Sequence, residues 1–171
     1  FPDYPFSEVP HGKQSWYGPI GGIWQSVYLE ARAATHIAGI RVTPDVPGMQ
    51  AQVELRLNQP AAQDSAVTLA LTDPQGSTGT STHTIPAGAA ALAVALPIFD
   101  PLLWDIGQPN LYTLDATLGN DSLSATFGMR TIATSPEGHI LLNGRIIYLR
   151  GALDQDYYPD LIYTPFSDEA I

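Results

Sequence analysis

Between residues 49 and 58 apolar and polar side chains alternate without a break. Met49, Ala51, Val53, Leu55 and Leu57 fall on one parity, and Gln50, Gln52, Glu54, Arg56 and Asn58 on the other. Side chains leave a pleated strand on opposite faces in turn, so this stretch builds a strand with one buried and one wet face. The same period returns downstream. Val67, Leu69 and Leu71 alternate with Ala66, Thr68, Ala70 and Thr72, and Asp73-Pro74-Gln75-Gly76 follows as a type I or II turn signal. Residues 78–85, rich in threonine and serine, read as an exposed strand. Residues 89–96 are alanine-rich enough for a helix, but Pro86 and Pro97 bracket them and Leu92, Val94 and Leu96 alternate, so a strand is expected. Tyr112, Leu114, Ala116 and Leu118 alternate with Thr113, Asp115 and Thr117; Gly119-Asn120-Asp121-Ser122 then turns the chain, and residues 123–134 form the return strand. Residues 37–43 make a first strand. About seven short strands with turn signals every 8–12 residues predict an all-β, immunoglobulin-like sandwich, and residues 35–135 supply the ~100 residues such a domain needs.

Composition narrows the alternatives. Fifteen glycines and fifteen prolines in 171 residues are too many breakers for a helical bundle, while 44% apolar residues suffice for a packed core. The net charge of −10, with seven basic residues, repels phosphate backbones and anionic lipid, so neither nucleic acid nor a membrane surface is an expected partner. No charged-then-apolar leader opens the sequence, and no apolar run approaches the ~20 residues of a membrane span. Without cysteine there is no thiolate nucleophile, no disulfide and no Cys-based zinc site; the compartment stays open, because exported bacterial proteins often lack cysteine as well. His11, His36, His83 and His139 are too far apart in sequence for a local metal motif, so no metal site and no cofactor is expected.

Beyond the sandwich the pattern changes. Leu141-Leu142-Asn143-Gly144-Arg145-Ile146 predicts a hairpin with a type I′ turn. Ile146-Ile147-Tyr148-Leu149 is continuously apolar, as in a strand buried on both faces of a parallel sheet. An acidic, aromatic loop follows, and Ser167-Asp168-Glu169 has the composition of a helix start, with a capping serine and two carboxylates at the positive dipole end. Strand, loop and helix start are the opening unit of an α/β barrel. Because the chain opens on Phe1 and stops within this first helical turn, a piece of a longer protein is the expectation.

At this point the residues resemble glycoside hydrolase family 2, which includes β-galactosidases, β-glucuronidases and β-mannosidases. Pro10-His11-Gly12-Lys13-Gln14-Ser15-Trp16-Tyr17-Gly18-Pro19 and Gly21-Gly22-Ile23-Trp24-Gln25-Ser26-Val27-Tyr28-Leu29-Glu30 look like the end of that family's sugar-binding jelly roll. Pro101-Leu102-Leu103-Trp104 and Pro109-Asn110-Leu111-Tyr112-Thr113-Leu114 resemble late strands of its immunoglobulin-like second domain. Phe127-Gly128-Met129-Arg130, Leu142-Asn143-Gly144 and Leu149-Arg150-Gly151 resemble the crossing into its catalytic barrel. The resemblance implies three parts: residues 1–34 as the tail of the jelly roll, 35–135 as the sandwich, and 136–171 as the truncated start of a (β/α)8 barrel. It also implies hydrolysis of O-glycosidic bonds with retention, by two glutamates on barrel strands downstream of this region. No catalytic residue is therefore expected in these 171 residues, and the chain alone is expected to be inactive.

Many members carry Asn and His shortly after the Arg-Gly that ends the first barrel strand; here Leu153 and Gln155 stand near those places. Asp154, Gln155, Asp156 and Tyr157 are the candidate substrate-binding residues of the complete enzyme, with Tyr157 or Tyr158 as a stacking platform. The competing reading is a solvated acidic loop with aromatic packing. Trp16, Trp24 and Trp104 could stack on sugars but sit in strand or corner patterns that favour packing. Lys13 and Gln14 could reach an active site or simply decorate a hairpin, and Arg130 suits an interdomain ion pair better than catalysis. The implied partners are a carbohydrate substrate in the full-length enzyme, the other domains of the same chain, and further copies of it through exposed edges. The alternative is a stand-alone carbohydrate-binding or adhesive sandwich.

Overall fold

A computed structural model describes Ile23 and residues 26–153. Within them, Ala31–Arg150 form one compact unit. It is all-β among the described residues: β1 (Ile37–Asp45), β2 (Gln50–Leu57), β3 (Ser65–Thr72), β4 (Thr78–Ile85), β5 (Ala91–Pro97), β6 (Trp104–Asp105), β7 (Gln108–Pro109), β8 (Tyr112–Leu118), β9 (Asp121–Phe127), β10 (Ile132–Thr134), β11 (Ile140–Leu142) and β12 (Arg145–Ile146).

Seven of these strands form the sandwich. One sheet has the order β1-β2-β5 and the other β4-β3-β8-β9, with every pairing antiparallel. The alternation read from β2 lands as expected: Ala51, Val53, Leu55 and Leu57 are buried, and Gln52, Glu54 and Arg56 face solvent. From the opposite sheet come Val67 and Leu69 of β3 and Tyr112, Leu114 and Ala116 of β8. Ile37, Ile85, Leu96, Ile98, Phe127 and Met129 close the ends of this core. Tyr112 and Phe127, directly paired across β8 and β9, stack with ring centroids 5.5 Å apart. The two inner faces supply one continuous apolar layer, as packed sheets require.

The alanine-rich segment is strand β5. It pairs with β2 so that Val94 meets Val53 and Leu92 meets Leu55, and this pairing overrides the helical propensity of its alanines. Met49 is not part of β2. It sits in the β1–β2 turn at φ 49°, half-exposed, and its N–H donates to Val46 O at 3.1 Å.

The expected return strand 123–134 is in fact two elements. β9 begins earlier, at Asp121, because the hairpin turn is only Gly119-Asn120, with Gly119 at φ 59°. It ends at Phe127, and Gly128 breaks it. An ideal Cβ there would lie 2.7 Å from Trp104 Cβ, so only glycine lets the strands cross this closely. The chain then starts a separate sheet, β10-β11-β12. Asn143 (φ 50°) and Gly144 (φ 77°) are both left-handed, the backbone of the expected I′ turn, with Leu142 opposite Arg145. Past Ile146 the pairing continues among the described residues only through the Ile147 N–H, which donates to Ile140 O at 3.0 Å, and Tyr148 and Leu149 are exposed. A strand buried on both faces needs neighbours on both sides, and none of the described strands takes that place.

Candidate functional site

Polar chemistry gathers at three places in the compact unit. The first joins the start of the sandwich to its last hairpin. Asp121 is buried, and both its carboxylate oxygens are engaged: Oδ2 accepts the Ile37 N–H at 2.8 Å, and Oδ1 accepts Arg32 Nε at 2.8 Å. Burial opposes ionisation, but the Ile37 N–H and the Arg32 guanidinium outweigh it and hold the carboxyl below its ordinary range. This side chain ties β1 of one sheet to β9 of the other. Asn58 fixes the approach to β1: its Oδ1 accepts the His36 N–H and its Nδ2 donates to Ala34 O, both at 2.9 Å.

The second place is the junction between the sandwich and the small sheet. Asn143 holds it from within the turn. Its Nδ2 donates to Trp104 O at 3.0 Å, its Oδ1 accepts the Thr131 N–H at 3.0 Å, and its own N–H donates to Thr131 O at 2.9 Å. Trp104 donates its main-chain N–H to Met129 O at 2.8 Å. The guanidinium carbon of Arg130 lies 4.8 Å from the centre of the Trp104 ring, a cation–π contact. Asp105 and Arg145 close the far side as an exposed ion pair. Trp104 is thus engaged by Gly128 and Arg130, and its packing reading prevails over a sugar platform. Arg130 serves the same contact.

The third place is a cleft of about 630 Å³ between the Thr78 end of β4 and the Leu96–Phe99 segment. Leu69, Leu71, Asp73, Asp100 and a 78% exposed Phe99 are among the residues that line it. The Leu102 N–H donates to the Tyr112 hydroxyl at 2.9 Å and anchors the segment that leaves β5. Burial pushes the Tyr112 phenol up from its ordinary value.

Among the described residues, no group of three or more His, Cys, Asp or Glu is arranged to hold a metal ion, and no helix is long and apolar enough to cross a membrane. Asp154, Gln155, Asp156 and Tyr157, with Lys13, Gln14, Trp16 and Trp24, lie outside the described residues. The Asp121 joint and the Asn143 clamp were not anticipated. Asp121 had a signal: it occupies the inward row of β9 with Leu123, Ala125 and Phe127, and a charge on a core-facing row demands a partner. Nothing local distinguishes Asn143 from any other turn asparagine.

A seven-stranded, immunoglobulin-like sandwich with its first strand stapled to its last and a second small sheet clamped to one end is the class of domain defined here. The model of glycosyl hydrolases family 2 matches residues 35–130, more than half of the chain, and the chain belongs to that family. A Formosa agariphila protein described as "Putative beta-glucuronidase" is 31% identical over 152 residues, covering 84% of this chain and 18% of its own length. The chain therefore spans about a fifth of that relative. Among solved structures, a family 2 β-galacturonidase from Eisenbergiella tayi bound to galacturonate superposes with a TM-score of 0.61 at 22% identity, over 86% of this chain and 26% of that one. A Parabacteroides merdae β-glucuronidase gives 0.58 at 21% identity, over 68% and 16%. These likenesses show the fold.

Proposed function

We propose that this chain serves as the sandwich portion of a longer family 2 glycosidase that hydrolyses O-glycosidic bonds with retention, and that it contributes no catalytic carboxylate. The observation that carries this reading is the family match across the sandwich, joined to a relative of which the chain spans only 18%. Retaining hydrolysis needs two carboxyl groups about 5–5.5 Å apart, one to protonate the leaving oxygen and one to attack the anomeric carbon. Asp121 is unsuited to either role, because both its oxygens are engaged within the fold. The sandwich instead acts as a brace, with the Asn143 clamp and the Asp121 joint fixing where the chain enters and leaves it.

The names of the relatives favour a β-linked uronic acid sugar as the substrate of the whole enzyme. Residues 1–34 and 136–171 are read as parts of the flanking jelly roll and barrel, and Asp154, Gln155, Asp156 and Tyr157 as contacts to the sugar from the barrel's first loop. Carbohydrate, the remaining domains and other copies of the chain are its partners; nucleic acid is not. Assaying the full-length enzyme and the 171-residue chain side by side on aryl β-glucuronide, β-galacturonide and β-galactoside tests the reading. Turnover is expected from the full-length enzyme alone, with kcat/KM lowered at least tenfold by Asp154→Ala with Gln155→Ala. Turnover by the short chain, or none by the full-length enzyme, would overturn it.

A further inference from the structure

The two lateral flanks of the sandwich are built differently. On one, β1 and β9 meet and are stapled by Arg32, Asp121 and the Ile37 N–H. On the other, β4 and β5 end their sheets, and each has a single strand neighbour. No hydrogen bond among the described residues occupies the outer main-chain edge of β4. Alternate residues of an antiparallel edge strand direct N–H and C=O outward, so β4 offers a template for another strand.

Natural edges are usually guarded by lysine, proline, a bulge or a very short strand. β4 has none of these. It runs from Thr78 to Ile85, its register with β3 is continuous, and it contains no charged residue. The whole stretch 74–99, which includes both open-flank strands, lacks Asp, Glu, Lys and Arg in a chain of net charge −10. Strands β1, β2, β8 and β9 all carry charges. Thr78, Thr80, Thr82 and Thr84 form the exposed row of β4, and the cleft with its exposed Phe99 lies immediately beside it.

We propose that β4 is the seat of a two-fold interface between copies of this chain, in which β4 of one copy pairs antiparallel with β4 of the second and joins their four-stranded sheets into one. Charge selects this occupant. Two bodies of net charge −10 repel over most of their surfaces and approach closely only where charge is missing. A strongly charged partner would find no counter-charge on this strand. A two-fold contact must also complement itself, and a row of threonines set against the same row satisfies that, since threonine pairs favourably with threonine across strands. The proposal names the surface for the self-association put forward above. It does not depend on the glycosidase assignment, so its failure would leave that assignment standing.

Sedimentation equilibrium of the 171-residue chain over a wide concentration range tests it. The wild type is expected to dimerise. Thr80→Lys with Thr82→Lys, and separately Thr80→Glu with Thr82→Glu, are expected to weaken the dimer at least tenfold, and mixing the two variants in equal amounts is expected to restore it. Hydrogen exchange on the wild type needs no variant: the outward amides of β4 should gain protection as the dimer forms. A wild type that stays monomeric leaves the edge to another extended segment and overturns the proposal. A dimer indifferent to both variants overturns it too, as does one whose β4 amides stay unprotected.

Discussion

Among the hairpins of the described residues that turn on two residues, β8–β9 and β11–β12 are stable for opposite reasons. The β8–β9 hairpin turns at Gly119-Asn120, and its strands put Tyr112, Leu114, Ala116 and Phe127 into the core. The β11–β12 hairpin turns at Asn143-Gly144, and of its five strand residues only Leu142 is buried. Burial sets the register of the first, since a slip of one residue would put its apolar row in water. Turn chemistry and the three hydrogen bonds of Asn143 set the register of the second. The sandwich should therefore lose stability as a whole when its interior is damaged, whereas the small sheet should come loose by itself.

The largest effects test the first half of that contrast. Leu55→Ala opens a cavity under both sheets and is expected to cost about 2–5 kcal/mol, visible as a lowered denaturation midpoint for the whole unit. Asp121→Ala leaves the buried Ile37 N–H without its acceptor and removes the carboxylate that Arg32 Nε meets, and a loss of about 3 kcal/mol is expected in the same measurement. The Asp121 joint also gives the sandwich an acid limit. Its folded-state pKa lies below its unfolded value, so its stabilisation is present above about pH 4 and is lost as pH falls through the folded pKa. Unfolding free energy followed downward from pH 5 should fall more steeply in the wild type than in Asp121→Asn.

Smaller effects test the second half. Asn143→Ala removes two side-chain hydrogen bonds and places alanine at φ 50°; about 2 kcal/mol is expected, confined to β10–β12. Native-state hydrogen exchange would show it as faster exchange in that sheet while β2 and β8 stay protected. Should β2 and β8 lose protection to the same extent, the small sheet is not a separate unit of stability. Arg145→Ala breaks a pair whose arginine side chain is 70% exposed, and less than about 1 kcal/mol is expected.

The same contrast explains what could be read from the chain beforehand. Strands that bury one face advertise themselves by period two, and β2, β3 and β8 fell where the alternation put them. The I′ turn at Asn143-Gly144 was equally plain, because few residue pairs accept two successive left-handed conformations. The break at Gly128 was not legible. It depends on Trp104, more than twenty residues away, and no local pattern encodes a close crossing of that kind. The short β6–β7 ribbon was missed because two-residue strands show no period. As for the site, the family resemblance pointed to the sandwich fold that the structure has, while the Asp121 joint and the Asn143 clamp depend on partners brought together only by folding.

The strand order sets a schedule for synthesis. β3 is paired on one side by β4, which follows it at once, and on the other by β8, which begins some forty residues after β3 ends. At about 5–20 residues per second on the ribosome, β8 emerges about 2–8 s later. Throughout that interval the side of β3 that β8 will cover, in the sequence Ser-Ala-Val-Thr-Leu-Ala-Leu-Thr, stands open and uncharged. The nascent chain is most exposed to mispairing in those seconds, and a chaperone acting on this protein would find its target there.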